Sequence, residues 1–473
     1  MKQYFYYTII IFLFLLSRLI FLEFNFWGLE YEDSYIYYDN AINIKNDIIY
    51  PENLLQCVSC ELGSYQDCTS YYTYGAHYKV FSYVIYYFNL IFKLGYNGVF
   101  ILNTILSLFI LLSYFLFDTN YNRRIIFTLL MAITPFYPLY TTTGNSEIFS
   151  SLFVFISFIL VNQYISKKQI YFLILSILSA IIASISNREN FILFPLIALA
   201  ILFFTNYSII NKILKIGLTT LTSILVFLFM NVINDEKEYS DQIQSKTFSI
   251  SYLIDNTRAL VEAILSLELW GLTGFLFILI IIFSLIKLRD KKYVQLLSMF
   301  IIGYYLITFT HYRHQHYLIT GQLYDYETLR YTTTFLPLIF LFIVFGISKF
   351  KISKRSFVII LIIFSSFSCY KTLETRISFS RDENYSRVIP SKKLIEYYKK
   401  NDLLVSNFPI LLRIYSSENT NIADLNSIEN IDLNNYNNIY LLLDKYEYNN
   451  LKPKFKLKKI ESIFDKDIYI LKK

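Results

Sequence analysis

Apolar runs of about 20 residues recur along most of this chain, and they constrain its fold more than any other feature. An α-helix needs roughly 20 apolar residues to cross the hydrocarbon core of a bilayer. Hydrophobic residues make up 55% of the sequence, as expected for a multi-pass membrane protein. The runs predict about eleven transmembrane helices, near residues 4–22, 97–117, 125–143, 148–165, 170–186, 190–206, 213–233, 267–286, 294–310, 332–348 and 356–372. The tyrosine-rich run 76–94 predicts a helix that lies on, or re-enters, the membrane surface.

Lysine and arginine residues lie in alternate loops between these helices, as at Arg123–Arg124 and Lys167–Lys168. Because basic residues are retained on the cytoplasmic side, this pattern predicts a cell (inner or plasma) membrane protein with a cytoplasmic N-terminus. Much of the net charge of +7 lies in these loops and in the Lys-rich C-terminal tail, so the charge does not indicate a nucleic-acid partner. No small-residue cleavage site follows the first apolar run, which we therefore interpret as an anchor.

The composition becomes polar after the last apolar run. We predict a transmembrane domain over residues 1–372, with a first outer loop at 23–96, and a small extracytoplasmic α/β domain over 373–473. The Asn-rich segment 421–438 is predicted to be a loop. The patterns in this second domain predict a short helix at 391–400, buried strands at 403–406 and 439–443, and a hairpin at 460–471.

Three of the four cysteines, Cys57, Cys60 and Cys68, lie in the first outer loop, and Cys369 lies at the outer end of the last predicted helix. An extracytoplasmic location permits disulfides, so a staple such as Cys57 to Cys68 is one interpretation. The Cys-x-x-Cys spacing could also bind a metal, but a second pair is missing. We assign these cysteines a structural role and leave their pairing open.

A cluster of acids directly follows the first predicted helix, and it includes the adjacent pair Glu32 and Asp33. Carboxylates at a bilayer surface lose solvation and gain nothing from lipid, so such a group indicates a polar site. Tyr37 and Ala41 continue a helical spacing, which predicts a short helix along the membrane surface. Asp33 could then accept a proton from an attacking hydroxyl, with Glu32 tuning it or sharing a cation. An ordinary solvated loop is the alternative.

A second acid, Glu147, lies at the turn Gly144-Asn145-Ser146-Glu147, where one predicted helix ends and the next begins. A carboxylate at a helix N-terminus is electrostatically favoured, so Glu147 could belong to a simple cap with Ser146 or Asn145. The loop is too short to leave the membrane surface. We therefore predict that Glu147 lines the same cavity as Asp33.

Three arginines, Arg18, Arg188 and Arg330, lie near the outer ends of predicted helices and need anionic partners there. A phosphate is a suitable partner, because a guanidinium matches it with two parallel hydrogen bonds. Internal pairing is the alternative for each of them, with Glu189 for Arg188, Glu327 for Arg330 and the first-loop acids for Arg18. The phosphate interpretation is favoured for Arg330 and structural pairing for Arg188.

Three of the four histidines occur together in the outer segment 311–316. His311 and His314 are candidates for binding a sugar or a lipid phosphate, and an interfacial aromatic belt is an alternative. The His-x-His spacing could also chelate a transition metal, but no carboxylate lies within the segment. We therefore assign no metal ligand.

The order of these parts resembles the GT-C class of integral-membrane glycosyltransferases, in particular the branch of the protein O-mannosyltransferases and the lipid A aminoarabinose transferase. Residues 32–41 are similar to the Asp-Asp-Ala-Tyr-Ile phrase of that branch, with Asp39 in place of its usual Arg. Glu147 occupies the place of an acid in the second outer loop. Arg188 and the pair Arg330-Tyr331 also fall at matching positions.

The resemblance implies transfer of a sugar from a polyprenyl-phosphate carrier to a glycan, lipid or protein acceptor of the cell envelope, with inversion at the anomeric carbon. Asp33 would be the general base, and Glu147 would stabilise the transition state or orient the acceptor. Arg330, with Tyr331, Arg188 or Arg18, would bind the departing lipid phosphate. A divalent cation is possible but not required. A polytopic transporter, a flippase for lipid-linked glycans and a non-catalytic scaffold are the alternatives.

Overall fold

A computed structural model describes residues 2–27, 79–134, 136–233, 249–265, 273–288, 291–311, 330–348, 384–408 and 420–471, together with a few single positions between them. The contacts divide the chain into two compact units. One unit contains residues 1–22 and 103–374, and the other contains residues 23–102 and 375–473. The domain boundary that we placed at residue 373 stays a prediction.

Helices make up most of the described residues. In chain order they are α1 (Lys2–Trp27), α2 (Lys79–Phe92), α3 (Asn97–Phe117), α4 (Tyr121–Ile133), α5 (Tyr137–Tyr140), α6 (Glu147–Lys167), α7 (Ile170–Ser186), α8 (Leu193–Phe204), α9 (Ile209–Ile233), α10 (Ile250–Leu265), α11 (Thr273–Leu288), α12 (Lys292–His311), α13 (Leu336–Ile347), α14 (Ile389–Glu396) and α15 (Lys445–Leu451).

Four of the described helices are long and apolar enough to cross a membrane by length and composition: α3, α6, residues Ile209–Met230 of α9 and Lys292–Thr310 of α12. Shorter apolar helices accompany them, among them α7, α11 and α13. Their outward faces are rich in exposed leucine, isoleucine and phenylalanine, which is the composition that lipid contact favours. The helical multi-pass architecture that the sequence predicts is therefore confirmed.

The predicted helix 125–143 is wrong in its second half, because α4 ends at Ile133. Thr134, the residue before Pro135, has an extended backbone with ψ 124°. Proline disfavours a helical conformation in the residue that precedes it, which explains this end. Phe136 then adopts the left-handed conformation with φ 63°, and the four-residue helix α5 follows. The chain consequently reaches Glu147 through a buried, non-helical turn.

Helices α6 and α7 form an antiparallel pair joined by a tight turn at Lys168, which adopts the left-handed conformation. Two serine pairs link the helices: the Oγ atoms of Ser150 and Ser186 are 2.9 Å apart, and those of Ser157 and Ser176 are 3.0 Å apart. Small residues let two membrane helices approach closely, and each hydroxyl finds a partner away from water. This pair forms a rigid support for Glu147, the first residue of α6.

The second unit contains a five-stranded sheet with the strand order β2-β1-β3-β5-β4. The strands are β1 (Leu403–Ser406), β2 (Asn421–Asp424), β3 (Ile439–Leu443), β4 (Leu457–Ile463) and β5 (Lys466–Leu471). Strand β1 pairs in parallel with β2 and β3, whereas β5 pairs antiparallel with β3 and β4. The predicted α/β class, strands β1 and β3 and the closing hairpin are confirmed. Strand β2 contradicts the predicted loop at 421–438.

Both faces of this sheet are covered by apolar side chains. Leu403, Val405, Leu441 and their neighbours form one core, and Leu404, Leu442 and Ile468 form the other together with Leu394 of helix α14. Central parallel strands that are buried on both faces contain near-continuous apolar residues, as β1 and β3 do. Helix α14 covers the second face of the sheet, because its Leu394 packs in this second core.

Helix α15 begins with a capping box, in which Asp444 accepts a hydrogen bond from the backbone N–H of Glu447, and the Glu447 carboxylate accepts one from the backbone N–H of Asp444. Lys466 Nζ also lies 3.2 Å from Asp444 Oδ2. Burial raises the pKa of the Asp444 carboxyl, but the hydrogen bonds from Glu447 and Lys466 outweigh burial and lower it below its usual 3.8. The charged carboxylate therefore stabilises the folded domain above that pH and loses this effect as the pH falls through the lowered pKa.

Two substitutions of Asp444 distinguish its role as the N-cap of α15 from the effect of its negative charge. Asparagine caps helices as well as aspartate, so Asp444→Asn should reduce hydrogen-exchange protection of the α15 amides at pH 7, and the difference from wild type should shrink as the pH falls below 3.8. Asp444→Ala also removes the cap and should cost about 1 kcal/mol more at either pH. Exchange in the full-length protein measures both effects. A difference between Asp444→Asn and wild type that does not change with pH would contradict this account.

Candidate functional site

A turn of polar residues lies buried between α5 and α6. Thr141, Thr142, Thr143, Asn145, Ser146 and Glu147 are all at most 4% exposed. The threonine hydroxyls donate hydrogen bonds back to the carbonyls of α5, for example from Thr143 to Tyr140 O at 2.9 Å. Non-helical backbone at membrane depth is tolerated only where protein covers it or where it lines a cavity. We therefore take this buried polar turn as the candidate site.

Asn103 on helix α3 supplies hydrogen bonds that the turn needs. Its side chain is fully buried, and its Nδ2 donates to the carbonyl oxygens of Thr143 and of Asn145, the latter at 2.7 Å. Leaving a buried carbonyl without a donor costs free energy, so one amide here stabilises two backbone groups. Asn103 was not among the residues predicted from the sequence. The signal that could have found it is a lone amide within an apolar helix.

Glu147, the first residue of α6, forms a buried ion pair with Arg330. Arg330 Nε donates to Glu147 Oε1 at 2.6 Å, and the two side chains are 8% and 5% exposed. Ser146, the N-cap residue, makes no side-chain capping hydrogen bond. The carboxylate is also favoured by the partial positive charge at the N-terminus of α6. We predicted a site role for each of these two residues from the sequence, but not the contact between them.

Arg330 lies in a single helical turn, residues 330–332, that precedes α13. Its carbonyl accepts a hydrogen bond from Thr333 N at 2.9 Å. Its guanidinium carbon is 5.4 Å from the ring centroid of Tyr331, so that Tyr331 covers the cation. Arg330 and Tyr331, which we predicted to act together, are therefore in contact.

Arg18 of helix α1 is fully buried. Its Nη1 donates to Ser17 Oγ at 2.8 Å, and its guanidinium carbon is 3.8 Å from the Phe14 ring centroid and 5.7 Å from that of Tyr137. The contact with Tyr137 brings Arg18 to helix α5, close in sequence to the buried turn. A desolvated cation over aromatic faces gains up to about 2 kcal/mol per contact.

An apolar cavity of about 180 Å³ lies in the same unit as these groups. Helices α5, α10, α12 and α13 line it, with Tyr137, Tyr140, Leu260, Ile264 and Ile301 among its walls. Thr332, two residues after Arg330, also lines it. Tyr137 therefore contacts Arg18 and also lines the cavity, so one ring separates this buried cation from the apolar space.

The remaining predicted site residues are only partly described. Arg188 begins a 3₁₀ turn, Arg188–Ile192, but its side chain is outside the described residues. The same holds for His311, the last residue of α12. Glu32, Asp33 and His314 lie wholly outside the described residues. Among the described residues, no three His, Cys, Asp or Glu side chains are grouped in a way that could hold a metal ion.

The turn that contains Arg188 is nevertheless firmly held. Asn187 accepts a hydrogen bond from Glu189 N at 3.1 Å. Asn190 is fully buried; it donates to Ala183 O at 2.9 Å and accepts from the Tyr304 hydroxyl at 3.0 Å. Helix α12 therefore fixes the backbone at Arg188.

The fold is similar to two groups of solved structures. ArnT from Cupriavidus metallidurans, bound to undecaprenyl phosphate, aligns with a TM-score of 0.55 at 8% identity over 82% of this chain and 87% of its own. The archaeal oligosaccharyltransferase AglB from Archaeoglobus fulgidus, in complex with an inhibitory peptide and a dolichol-phosphate, aligns with a TM-score of 0.50 at 12% identity over 93% of this chain and 69% of its own. No protein-family model matches the sequence, and no curated protein matches it either.

Both neighbours are multi-pass membrane enzymes of the GT-C class of glycosyltransferases that work with polyprenyl phosphates. The chain has the GT-C fold, and the resemblance predicted from the residues is confirmed at the level of the fold.

A double-mutant cycle tests whether the buried ion pair is energetically coupled. Glu147→Leu and Arg330→Met should each destabilise the protein by about 3–5 kcal/mol, because each leaves an uncompensated buried charge, whereas the double variant should recover much of that loss. Thermal unfolding of the purified protein in detergent measures this.

The matched control for this cycle is the ion pair between Arg258 and Glu262 on α10, whose side chains are 78% and 31% exposed. Replacing these two residues by Met and Leu should change stability by at most about 0.5 kcal/mol. Equal effects at the two pairs would contradict the interpretation.

Proposed function

We propose that this protein transfers a sugar from a polyprenyl-phosphate donor to an acceptor hydroxyl on the extracytoplasmic face of the membrane. The observation that carries the proposal is the buried Glu147–Arg330 pair, in a unit of GT-C fold that also contains an apolar cavity. A polyprenyl phosphate is an anion attached to a long apolar chain, so it needs a fixed cation next to an apolar space. ArnT is bound to undecaprenyl phosphate and AglB to a dolichol-phosphate, which are molecules of this kind.

Arg330 is the group that we assign to the donor phosphate. A guanidinium is always charged and binds phosphate oxygens with paired hydrogen bonds. Glu147 fixes its orientation in the resting state and keeps the buried charge compensated. The cavity lined by Tyr137, Tyr140 and Ile301 would accept the isoprene units next to the phosphate. Arg18, Arg188, Tyr331, His311 and His314 are secondary candidates for contacts with the phosphate or sugar.

Asp33 is the general base that we propose for the transfer, with Glu32 beside it. The acceptor oxygen attacks the anomeric carbon as Asp33 takes its proton, and the bond from that carbon to the phosphate oxygen breaks. The polyprenyl phosphate leaves with the bonding electrons, and Arg330 stabilises the charge that develops on it. Attack opposite the leaving group inverts the anomeric carbon. The carboxylate of Glu147 would stabilise an oxocarbenium-like centre.

The phosphate is already a good leaving group, so no metal is required, although Glu32 and Asp33 are compatible with a divalent cation. We further propose that the N-terminus is cytoplasmic and that the C-terminal domain is extracytoplasmic, as the basic loops predict. The sugar and the acceptor, whether glycan, lipid or protein, are to be identified by assay.

The base is tested by sugar transfer with purified protein in nanodiscs, offered polyprenyl-phosphate hexoses and envelope glycans from the native host. Wild type should transfer sugar, and Asp33→Asn should lose at least about 100-fold in kcat while still binding the donor. Asp47→Asn, in the same loop, is the control and should keep wild-type activity. Full activity of Asp33→Asn would exclude this base. If folded wild-type protein transfers sugar from none of the donors, the glycosyltransferase proposal is contradicted and the transporter alternative is favoured.

The phosphate contact is tested with Arg330→Lys, which keeps the buried charge but loses the planar pair of donors. Its affinity for polyprenyl phosphate should fall about 10-fold or more, as the loss of a charge-assisted hydrogen bond predicts. Arg258→Lys, on the exposed face of α10, is the matched control and should bind as wild type does. Binding of a fluorescent polyprenyl phosphate provides the measurement. Equal affinity of Arg330→Lys and Arg258→Lys for polyprenyl phosphate would contradict the assignment of Arg330 to the donor phosphate.

A further inference from the structure

Tyrosines from three separate segments meet within the second unit: Tyr38, Tyr96 and Tyr415. The ring centroids of Tyr38 and Tyr96 are 5.2 Å apart with an interplanar angle of 68°, and those of Tyr96 and Tyr415 are 6.5 Å apart with an angle of 81°. Edge-to-face pairs at such distances are attractive beyond simple burial. Tyr96 is 9% exposed and lies between the other two rings. The three residues thus form one continuous contact, which we call the tyrosine bridge.

The turn between α2 and α3 holds Tyr96 in place. Gly95 has φ +61°, a conformation that side chains rarely adopt, and its carbonyl accepts a hydrogen bond from Gly98 N at 3.0 Å. A Cβ atom at position 95 would lie 3.7 Å from the Tyr38 hydroxyl. That distance is an ordinary contact, so it is the turn, with its positive φ, that requires the glycine. Phe100 adds a further edge-to-face contact with Tyr96 at 5.1 Å.

Tyr38 belongs to a short helical segment, of which positions 37, 38 and 41 are described and all are helical. This confirms the helical spacing that the sequence predicts there. Tyr37 is 1% exposed and packs edge-to-face on Phe81 of α2, with centroids 5.1 Å apart. Ala41 is 3% exposed. The segment is therefore fixed on one side by α2 and on the other by Tyr96.

Tyr415 comes from the C-terminal part of the chain, after strand β1. Ser416 N donates to Leu412 O at 2.9 Å, which fixes the backbone beside it. Lys392 of α14 places Nζ 4.4 Å from the Tyr415 ring centroid. Burial raises the pKa of Tyr415 to about 12, so its phenol stays neutral at physiological pH. The ring is thus held from within the α/β domain.

We propose that Tyr415 is a positioning residue for the transfer: through Tyr96 and Tyr38, the C-terminal domain holds the helical segment that follows the acid pair Glu32–Asp33. This rests on the proposed function, in which Asp33 is the base. Asp33 precedes Tyr38 by five residues, and a chain of that length reaches at most about 18 Å. Fixing Tyr38 therefore limits where the carboxylate can lie. Residues 23–102 and 375–473 form one compact unit, which supports this proposal.

The tyrosine bridge is tested with two variants at position 415. Tyr415→Ala removes the ring and should lower kcat about tenfold, since a small misplacement of a catalytic group has that effect, while the KM for the donor stays unchanged. Tyr415→Phe keeps the ring and should retain wild-type kcat. Tyr446→Ala is the matched control, because Tyr446 lies in the same domain with 76% of its surface exposed. A general loss of structure would alter the KM for the donor as well, and that result would overturn the proposal.

Hydrogen exchange separates this proposal from the proposed function. In Tyr415→Ala the amides of residues 37–41 should exchange faster than in wild type, whereas Tyr446→Ala should leave them unchanged. This result does not depend on any enzymatic activity. Unchanged exchange in Tyr415→Ala would overturn the proposal even if the wild-type protein transfers sugar. Faster exchange in a protein that transfers no sugar would uphold the contact and contradict the role of Asp33.

Discussion

The ion pair between Glu147 and Arg330 is the interaction on which the unit of residues 1–22 and 103–374 depends most. Removing a charge from water costs several kcal/mol even after relaxation, and this cost is recovered only when a partner and further hydrogen bonds are in place. Each of the two side chains is at most 8% exposed, so the surrounding structure must hold both in contact with each other. Three features contribute to this placement: the break after α4, the serine contacts between α6 and α7, and the turn before α13.

The buried turn before Glu147 shows how the chain satisfies this requirement. The break between α4 and α6 leaves backbone carbonyls in α5 and in the turn that lipid cannot satisfy. Threonine hydroxyls donate to the carbonyls of α5, and the amide of Asn103 donates to the carbonyls of Thr143 and Asn145. A continuous helix through this region would need none of these groups. Their presence indicates that the break is there to place Glu147 inside the protein.

The sequence predicted the elements whose signal is local. Strands β1 and β3 are short apolar runs, and the structure has them at the predicted residues. Strand β2 was missed because its sequence, Asn421–Asp424, is half polar, and pairing with β1 decides its conformation. The partner of Arg330 was missed for the same kind of reason. Glu147 lies 183 residues away, and no local pattern connects the two. Glu32, Asp33 and His314 stay predictions.

An arginine that is already paired with a carboxylate binds a phosphate less strongly than an isolated one would, because the carboxylate offsets part of its charge. The advantage of the pair lies in preorganisation. Transition-state stabilisation depends on dipoles and charges that are in position before the reaction and need no rearrangement. In the mechanism that we propose, Glu147 lowers the affinity for the donor somewhat and in return fixes the orientation of Arg330. Interactions that are stronger in the transition state than in the bound substrate raise kcat. A preorganised Arg330 that binds the donor only weakly before the reaction is consistent with this requirement.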